Sequence, residues 1–288
     1  MRKFVIVLVV ILFSLNAFSQ ADTTYWKTAG DFSIQFNQVS FSNWATGGDN
    51  SLAGVIGLKY DFSFAKEKSS WDNKLVLAYG LQSLAGDTRK TEDKIDFASK
   101  YGYKISKEAF FATMFTLKSQ FANGYKYPDR DNYISTFNSP LYIGIGVGID
   151  YKQNANLSFY LSPVTTLFVV ITDDYLSDIG VFGNEPGEKI RTQFGASFKM
   201  QYKKEIAKNM NLDTKFEAFS NYLNNPQTSI VKNIIYSWDM ILDMKVNALI
   251  SAKLTTGLIY DPNIIIAGAD GPKVQLKEMF GAGLSVKF

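Results

Sequence analysis

The chain has 288 residues, of which 46% are hydrophobic and 15% aromatic, and it contains neither cysteine nor histidine. Without cysteine there are no disulfide bonds and no lipid anchor on an N-terminal cysteine, and without histidine the commonest general base and metal ligand are missing. When Arg2 and Lys3 are set aside as part of a predicted signal, 28 basic side chains stand against 27 acidic ones, which does not favour a nucleic-acid partner.

The N-terminus predicts a secretory signal peptide over residues 1–19. Arg2 and Lys3 precede an unbroken apolar run from Phe4 to Phe13, and Ala17-Phe18-Ser19 forms a small-x-small cleavage site. This run is about half as long as a membrane-spanning helix, and an uncleaved anchor is the alternative interpretation. We then expect residues 20–29 to form a short periplasmic segment and residues 30–288 to form an outer-membrane β-barrel.

Twelve segments of alternating apolar and polar or small residues follow in chain order. A period of two predicts strands with one apolar face, and an even strand number is typical of single-chain bacterial barrels. The sequence therefore predicts an all-β fold, a single transmembrane antiparallel β-barrel of about twelve strands. The segments are residues 32–36, 52–64, 71–81, 95–103, 111–121, 141–151, 157–161, 194–202, 210–216, 238–246, 254–260 and 280–288.

The connections between these segments alternate between short and long. Short polar links join every second pair of strands, as in Lys66–Ser69 and Gln153–Ala155, with Pro140 beginning one strand and Pro163 ending another. This alternation is typical of membrane barrels with tight periplasmic turns and long extracellular loops. The predicted long connections are residues 39–50, 83–92, 122–139, 163–188, 222–232 and 262–273.

The last strand carries apolar residues at every second position and ends on Phe288. A terminal phenylalanine on such a strand, together with a signal peptide, predicts the closing strand of an outer-membrane barrel. We interpret Phe288 as an assembly signal, and we expect the barrel-assembly machinery and outer-membrane lipid as partners.

Charged residues occupy the faces opposite to the apolar ones. Because a charge facing lipid costs several kcal/mol at mid-depth, these side chains are predicted to face the lumen. They form either a structural network of cross-lumen salt bridges or a constriction that selects solutes. The residues are Lys59, Asp61, Asp72, Lys74, Lys94, Asp96, Lys100, Asp213, Lys215, Glu217, Asp239, Asp243 and Lys245.

Glycines line the inward face of two strands. Gly144, Gly146 and Gly148 alternate along one strand, and Gly281 and Gly283 lie in the last. They either leave room for a loop or a solute against that wall, or they relieve strain where the wall curves tightly.

The first long connection contains a compact motif of Asn43, Trp44, Gly47, Gly48, Asp49 and Asn50. Trp44 can stack on a sugar, close a pore mouth or anchor the chain at the membrane interface. The stretch Asn43 to Gly48, with Ser162–Thr165, Asp178–Gly183 and Tyr260-Asp261, resembles the DUF3078 proteins of Bacteroidetes-type bacteria. The resemblance implies an outer-membrane or cell-envelope β protein of undetermined activity, and it supplies no catalytic residues.

Two further loop features have simple interpretations. The apolar run Leu167–Ile171 either continues its strand above the membrane or packs onto a neighbouring subunit. Asp173, Asp174 and Asp178 after it match no calcium-loop template, so a solvated loop is favoured over a Ca²⁺ site. Asp129-Arg130-Asp131 is predicted to form an ion pair within its own loop.

The sequence allows three functions and one alternative fold to be compared. The main hypothesis is a narrow channel or transporter for a small solute that the sequence does not identify. The alternative is a non-conducting structural or assembly component that binds envelope proteins through its loops. An enzyme is disfavoured because histidine is absent and because carboxylates four residues apart on a strand lie about 13 Å apart, so no catalytic residue, cofactor or metal is predicted. A secreted soluble β protein is the competing fold.

Overall fold

The computed structural model describes residues 25–40, 50–223, 233–264 and 270–288. Strands dominate these ranges, and α1 (Asp174–Ile179) is a single short helix. No helix in the described ranges has the length and apolar character needed to cross a membrane. The strands are β1 (Trp26–Val39), β2 (Ser51–Lys66), β3 (Ser69–Leu84), β4 (Asp87–Lys104), β5 (Ala109–Ser119), β6 (Gly124–Tyr125), β7 (Tyr133–Ser135), β8 (Leu141–Lys152), β9 (Leu157–Val170), β10 (Ile190–Ala207), β11 (Met210–Asn221), β12 (Ile234–Lys245), β13 (Ile250–Tyr260) and β14 (Gln275–Lys287).

Twelve of these strands form one closed antiparallel barrel, in which each strand pairs with its neighbours along the chain and β1 pairs with β14. The strands β6 and β7 form a separate hairpin within the connection between β5 and β8. This arrangement confirms the predicted fold class and strand number.

The two faces of the barrel have opposite chemistry. Apolar side chains at every second position point outward and are exposed, as Phe36, Ile56, Ile145, Leu161 and Phe280 illustrate. Charged side chains occupy the alternate, inward positions and meet one another there. A soluble barrel would place its apolar faces inside, so this surface is suited to contact with lipid.

One end of the barrel, which we call the turn end, has connections of two to four residues after β2, β4, β8, β10 and β12. The other end, which we call the loop end, has the long connections. One predicted long loop, residues 83–92, is wrong, because Ala85 and Gly86 alone join β3 to β4, with φ values of 50° and 87°. Two residues of positive φ form the tight hairpin turn that suits the twist of paired strands.

Apolar alternation did not predict this hairpin, because the outward residues at the loop end of β4 are polar. Lys90 and Asp93 pair at 2.7 Å beneath residues of the β5–β8 connection, where the backbone N–H groups of Phe121 and Ala122 donate to the Asp93 carboxylate. The connection covers this part of the strands, so no apolar outer face is needed there.

The barrel also begins earlier than predicted. Residues 20–29 were expected to form a periplasmic segment, but β1 starts at Trp26, whose ring packs against those of Phe62, Phe64 and Trp71. The boundary at residue 30 is therefore wrong by four residues. Thr28 and Gly30 occupy outward positions without a large apolar side chain, so the apolar alternation did not reveal this first part of the strand.

The prediction that Pro163 ends its strand is wrong. Pro163 lies inside β9 at a bulge, where the register with β8 and with β10 shifts by one residue. Proline is tolerated at a bulge because no ladder hydrogen bond is needed from its nitrogen. The strand continues to Val170, which confirms that the apolar run extends the strand, and Val169 and Ile171 are buried within the chain.

The inward glycines lie where neighbouring strands approach closely. A Cβ atom on Gly148 would collide with the carbonyl oxygen of Leu161, and one on Gly283 with that of Ile34. A Cβ on Gly146 would stand 2.8 Å from Thr165 Oγ1. These positions therefore permit tight curvature of the wall.

Candidate functional site

The lumen contains a network of ion pairs that includes most of the predicted residues. Of the thirteen predicted lumen residues, twelve form ion pairs with N–O distances of 4.0 Å or less. Lys245, at the turn end of β12, is the exception within the described parts of the chain. Because inward residues alternate with lipid-facing ones on every strand, the barrel brings these charges together from distant parts of the sequence.

Three pairs join strands that lie opposite each other in the ring of twelve. Lys74 on β3 lies 3.9 Å from Asp213 on β11, and Lys94 on β4 lies 3.8 Å from Asp239 on β12. Lys203 on β10 approaches Asp61 on β2 to 3.4 Å. Side chains from opposite walls meet only where the lumen is narrow enough for two of them to span it.

Glu217 is the most highly connected carboxylate of the lumen. It lies 2.6 Å from Lys118, 2.8 Å from Lys199 and 3.5 Å from Lys215, and its side chain is largely buried. Lys215 also approaches Asp96 to 3.6 Å. Burial of a charge is tolerated only when it is paired, so Glu217 and its lysines depend on one another.

Asp213 is a second centre on the same strand. It forms ion pairs with Lys59 and Lys74, and the side-chain amide of Gln201 donates to its other oxygen. Lys59 and Lys74 come from adjacent strands, β2 and β3, across the lumen from Asp213. Asp213 thus binds lysines of the facing wall, whereas Glu217 binds Lys118 of β5 together with Lys199 and Lys215 of its own side of the barrel.

We call these pairs the central network, and its charges do not cancel. Seven lysines face five carboxylates, which leaves a formal charge of +2. A narrow, low-dielectric passage with excess positive charge favours anions over cations. The members are Lys59, Asp61, Lys74, Lys94, Asp96, Lys118, Lys199, Lys203, Asp213, Lys215, Glu217 and Asp239.

Other lumen pairs are balanced in charge. Towards the turn end, Lys152 lies 2.7 Å from Asp72 and Lys100 lies 2.6 Å from Asp150. Asp243 meets Lys287 at 3.1 Å in the same half of the barrel. These pairs tie neighbouring parts of the wall together and add no net charge to the lumen.

Two more pairs in the lumen join Lys253 to Asp31 at 3.2 Å and Lys277 to Glu92 at 3.1 Å. Ten residues of the lumen ion pairs are absent from the predicted set, although strand parity could have identified most of them. Lys118 follows the outward Leu117, for example, and Lys199 lies between the outward Phe198 and Met200. The residues missed are Asp31, Glu92, Lys118, Asp150, Lys152, Lys199, Lys203, Lys253, Lys277 and Lys287.

The connection between β9 and β10 contacts the β5–β8 connection at the loop end. The Asp173 carboxylate caps α1 by accepting from the N–H of Leu176 at 2.9 Å, and it also accepts from the Tyr133 hydroxyl at 3.1 Å. Desolvation and this hydrogen bond raise the pKa of Tyr133. Leu176 is fully buried, so the helix is part of a packed structure.

Two of the three carboxylates considered for Ca²⁺ already have partners. Asp173 caps α1, and Asp174 accepts a hydrogen bond of 2.6 Å from Lys189, which lowers the pKa of Asp174. Within the described ranges there is no group of three or more residues of the types that ligate metals.

Arg130 does not form the expected ion pair within its own loop. It pairs with Asp87 at the start of β4, while Asp129 accepts from the backbone N–H of Asp131 at 2.9 Å. The β5–β8 connection is therefore attached to the barrel wall, a contact that sequence spacing does not reveal.

Several predicted features lie outside the described residues. These are the signal peptide over residues 1–19 and the loop-motif residues Asn43, Trp44, Gly47, Gly48 and Asp49. Asn50 is described, and its carbonyl accepts from the N–H of Ala85 at 3.0 Å.

The profile of a protein family described as "Protein of unknown function (DUF3078)" matches residues 36–125. This confirms the resemblance for that part of the chain, whereas the bacterial group it implied stays a prediction. No curated protein matches the chain.

Solved structures resemble the chain only distantly. The translocator domain of the autotransporter NalP from Neisseria meningitidis has 8% identity and a TM-score of 0.39, with 98% of this chain and 93% of that chain covered. The COG4313 outer membrane channel from Pseudomonas putida F1 has 12% identity and a TM-score of 0.42, with 93% of this chain and 100% of that chain covered. The NanC porin has 9% identity and a TM-score of 0.41, with 90% of this chain and 100% of that chain covered.

Proposed function

We propose that this chain is an outer-membrane β-barrel that acts as a narrow channel for small solutes, with the central network as its constriction and a preference for anions. The observation that carries this proposal is the set of ion pairs between opposite walls, which places charged groups across the path of any solute. The turn end then faces the periplasm and the loop end faces outward.

The exterior supports placement in a membrane. Large apolar side chains point outward from every wall of the barrel and are exposed, whereas the charges are inside. In the closed barrel each strand pairs with a neighbour on both sides, which satisfies most backbone groups within the strands, as lipid requires. Outer-membrane lipid is therefore the proposed surroundings of the barrel, and Phe288 is the proposed signal to the assembly machinery.

Selectivity follows from how a solute would cross the network. An ion must separate lysines from carboxylates that are 3.4 to 3.9 Å apart between opposite walls. An anion that does so is stabilised by the lysines it exposes, and the excess of two lysines favours anions throughout the passage.

A second candidate is a non-conducting barrel that holds envelope partners through its loops. The observation that favours it is the mutual satisfaction of the charges, with three lysines around Glu217 alone. Such a network can fill the lumen permanently, and the barrel would then serve as a scaffold.

The test is the reversal potential across a planar bilayer that contains the purified protein, with KCl at different concentrations on the two sides. We expect discrete currents and a reversal potential of the sign that indicates permeation by chloride. Replacing Lys94 and Lys203 by Gln removes the excess charge, so the variant is expected to lose the preference. The control replaces Lys204 and Lys208, which are exposed at the turn end, and should keep it. A preference for potassium in the wild type would contradict the proposed selectivity, and an absence of current would favour the scaffold.

A further inference from the structure

The seam between β1 and β14, which closes the barrel, is paired only over part of its length. Its register runs from Asp31↔Lys287 to Phe36↔Ala282 and stops there. Beyond that point β1 continues to pair with β2 as far as Val39, and β14 continues to pair with β13 back to Gln275. The two strands therefore remain regular while they separate from each other towards the loop end.

A side chain replaces the ladder where the strands separate. The Asn37 side-chain amide donates to the carbonyl oxygen of Phe280 at 3.4 Å. The β1–β14 register contains six residue pairs, against sixteen between β2 and β3. The closing seam is thus weakly paired, and its unpaired part lies towards the loop end.

A cavity of about 400 Å³ occupies this gap. Its lining includes inward residues such as Gln35, Gln82 and Thr91, and outward residues such as Phe36 and Phe280. The outward pair is strongly exposed, at 55% and 58%. One cavity therefore reaches from the polar lumen to the apolar outer surface, and its volume is typical of a site for a small molecule.

Two polar atoms of the cavity residues are buried without a partner. Gln35 Nε2 and Thr91 Oγ1 have no hydrogen-bond partner in the described parts of the chain. Thr91 is the extra residue of a bulge in β4, where the register with β3 shifts between Gly80 and Leu81. Bulges redirect side chains at functional positions, and buried polar groups are rarely left unsatisfied without a reason.

We propose that this seam cavity binds an amphiphile with a single alkyl chain and a head group that accepts hydrogen bonds. The head lies on the lumen side, where rotation of the buried Gln35 and Thr91 side chains lets it accept from Gln35 Nε2 and Thr91 Oγ1, and the chain passes between β1 and β14 to lie against Phe36 and Phe280. The site depends on the barrel lying in a bilayer, but it does not depend on ion conduction through the central network.

The unpaired seam suits such a ligand for two reasons. A chain that crosses a fully hydrogen-bonded wall would break ladder bonds, whereas here the ladder has already ended at Phe36↔Ala282. Placing the alkyl chain against exposed phenylalanines beside lipid keeps it out of water, and the head satisfies donors that otherwise lack partners.

The test uses dodecanoic acid with a photoactivatable diazirine on its chain, added to the full-length mature barrel in lipid nanodiscs. After illumination, peptide mass spectrometry should place the label on the segments that contain Phe36 and Phe280. Replacing Gln35 by Leu and Thr91 by Val together should reduce this labelling at least fivefold. Far-ultraviolet circular dichroism on each variant establishes that the barrel has formed.

Two controls decide the result. Gln193 also has a buried Nε2 without a partner in the described ranges, but it lies on β10, so Gln193→Leu should leave the labelling unchanged. A phospholipid that carries the same diazirine chain distinguishes the free amphiphile from surrounding lipid. Three results would overturn the proposal. They are equal labelling around the whole barrel, stronger labelling of the seam by the phospholipid than by the fatty acid, and labelling that survives the double substitution. None of these outcomes bears on conductance, which is measured separately.

Discussion

Replacing Glu217 by Gln is expected to destabilise the barrel by about 3 kcal/mol, the order of loss observed when one partner of a buried ion pair is removed. The carboxylate lies within 3.5 Å of three lysines, and its side chain is only 13% exposed. The neutral amide leaves Lys118, Lys199 and Lys215 close together with less compensating charge. Urea titration of the folded barrel in detergent, followed by tryptophan fluorescence, measures the loss.

Two variants test whether charge is the cause. Glu108→Gln removes a carboxylate at the turn end whose one ion-pair partner among the described residues is the highly exposed Lys107, at 3.8 Å, and should change the stability by less than about 1 kcal/mol. Adding Lys118→Met to Glu217→Gln removes one of the lysine charges left without its carboxylate, and should restore part of the lost stability. Equal stability of Glu217→Gln and the wild type would show that the lumen is wet enough to screen these charges.

Replacing Ile145 by Arg is expected to cost about 3 kcal/mol in a lipid bilayer, the order found for arginine at the midplane of a membrane barrel. Ile145 points outward near the middle of β8 and is 45% exposed. In water an exposed arginine at such a position would be tolerated, so the cost arises only if lipid surrounds this strand. The measurement is the urea dependence of folding into lipid vesicles.

Ile134→Arg is the matched control. Ile134 is 50% exposed but lies in β7, in the hairpin outside the barrel wall. The same chemical change there should have little effect on folding into vesicles. If the two substitutions had equal effects, the apolar exterior would not lie in the hydrocarbon, and a soluble barrel would be the better interpretation.

The fold could be predicted well because a barrel with an apolar exterior and a charged lumen shows its architecture in local patterns. Period-two alternation located all twelve barrel strands, since apolar side chains outside and charged side chains inside impose a strict alternation. The errors lie where that contrast fades, at Trp26, at the β3–β4 hairpin and around Pro163. In these places side chains are covered by other parts of the chain or a bulge shifts the register.

The candidate site was only partly predictable. Parity indicates that Asp213 and Glu217 face the lumen, but it does not reveal which lysines they meet, because pairing across the ring depends on barrel shape and strand stagger. The seam cavity could not have been predicted, since it arises where two strands separate although both keep their other neighbours. The separation of β1 from β14 does not change the alternation of apolar residues along either strand.

The most direct test of the central claim is the unit conductance of the Lys94→Ala, Asp239→Ala double variant in planar bilayers, compared with the wild type. In the part of the chain that the structure describes, these two side chains pair across the lumen only with each other, so removing both widens the constriction without changing net charge. The account predicts a higher unit conductance with the same preference for anions. Removal of Lys107 and Glu108, an exposed pair at the same distance of 3.8 Å, should leave the conductance unchanged. Equal conductance of the Lys94, Asp239 variant and the wild type would contradict the claim that cross-lumen ion pairs limit passage.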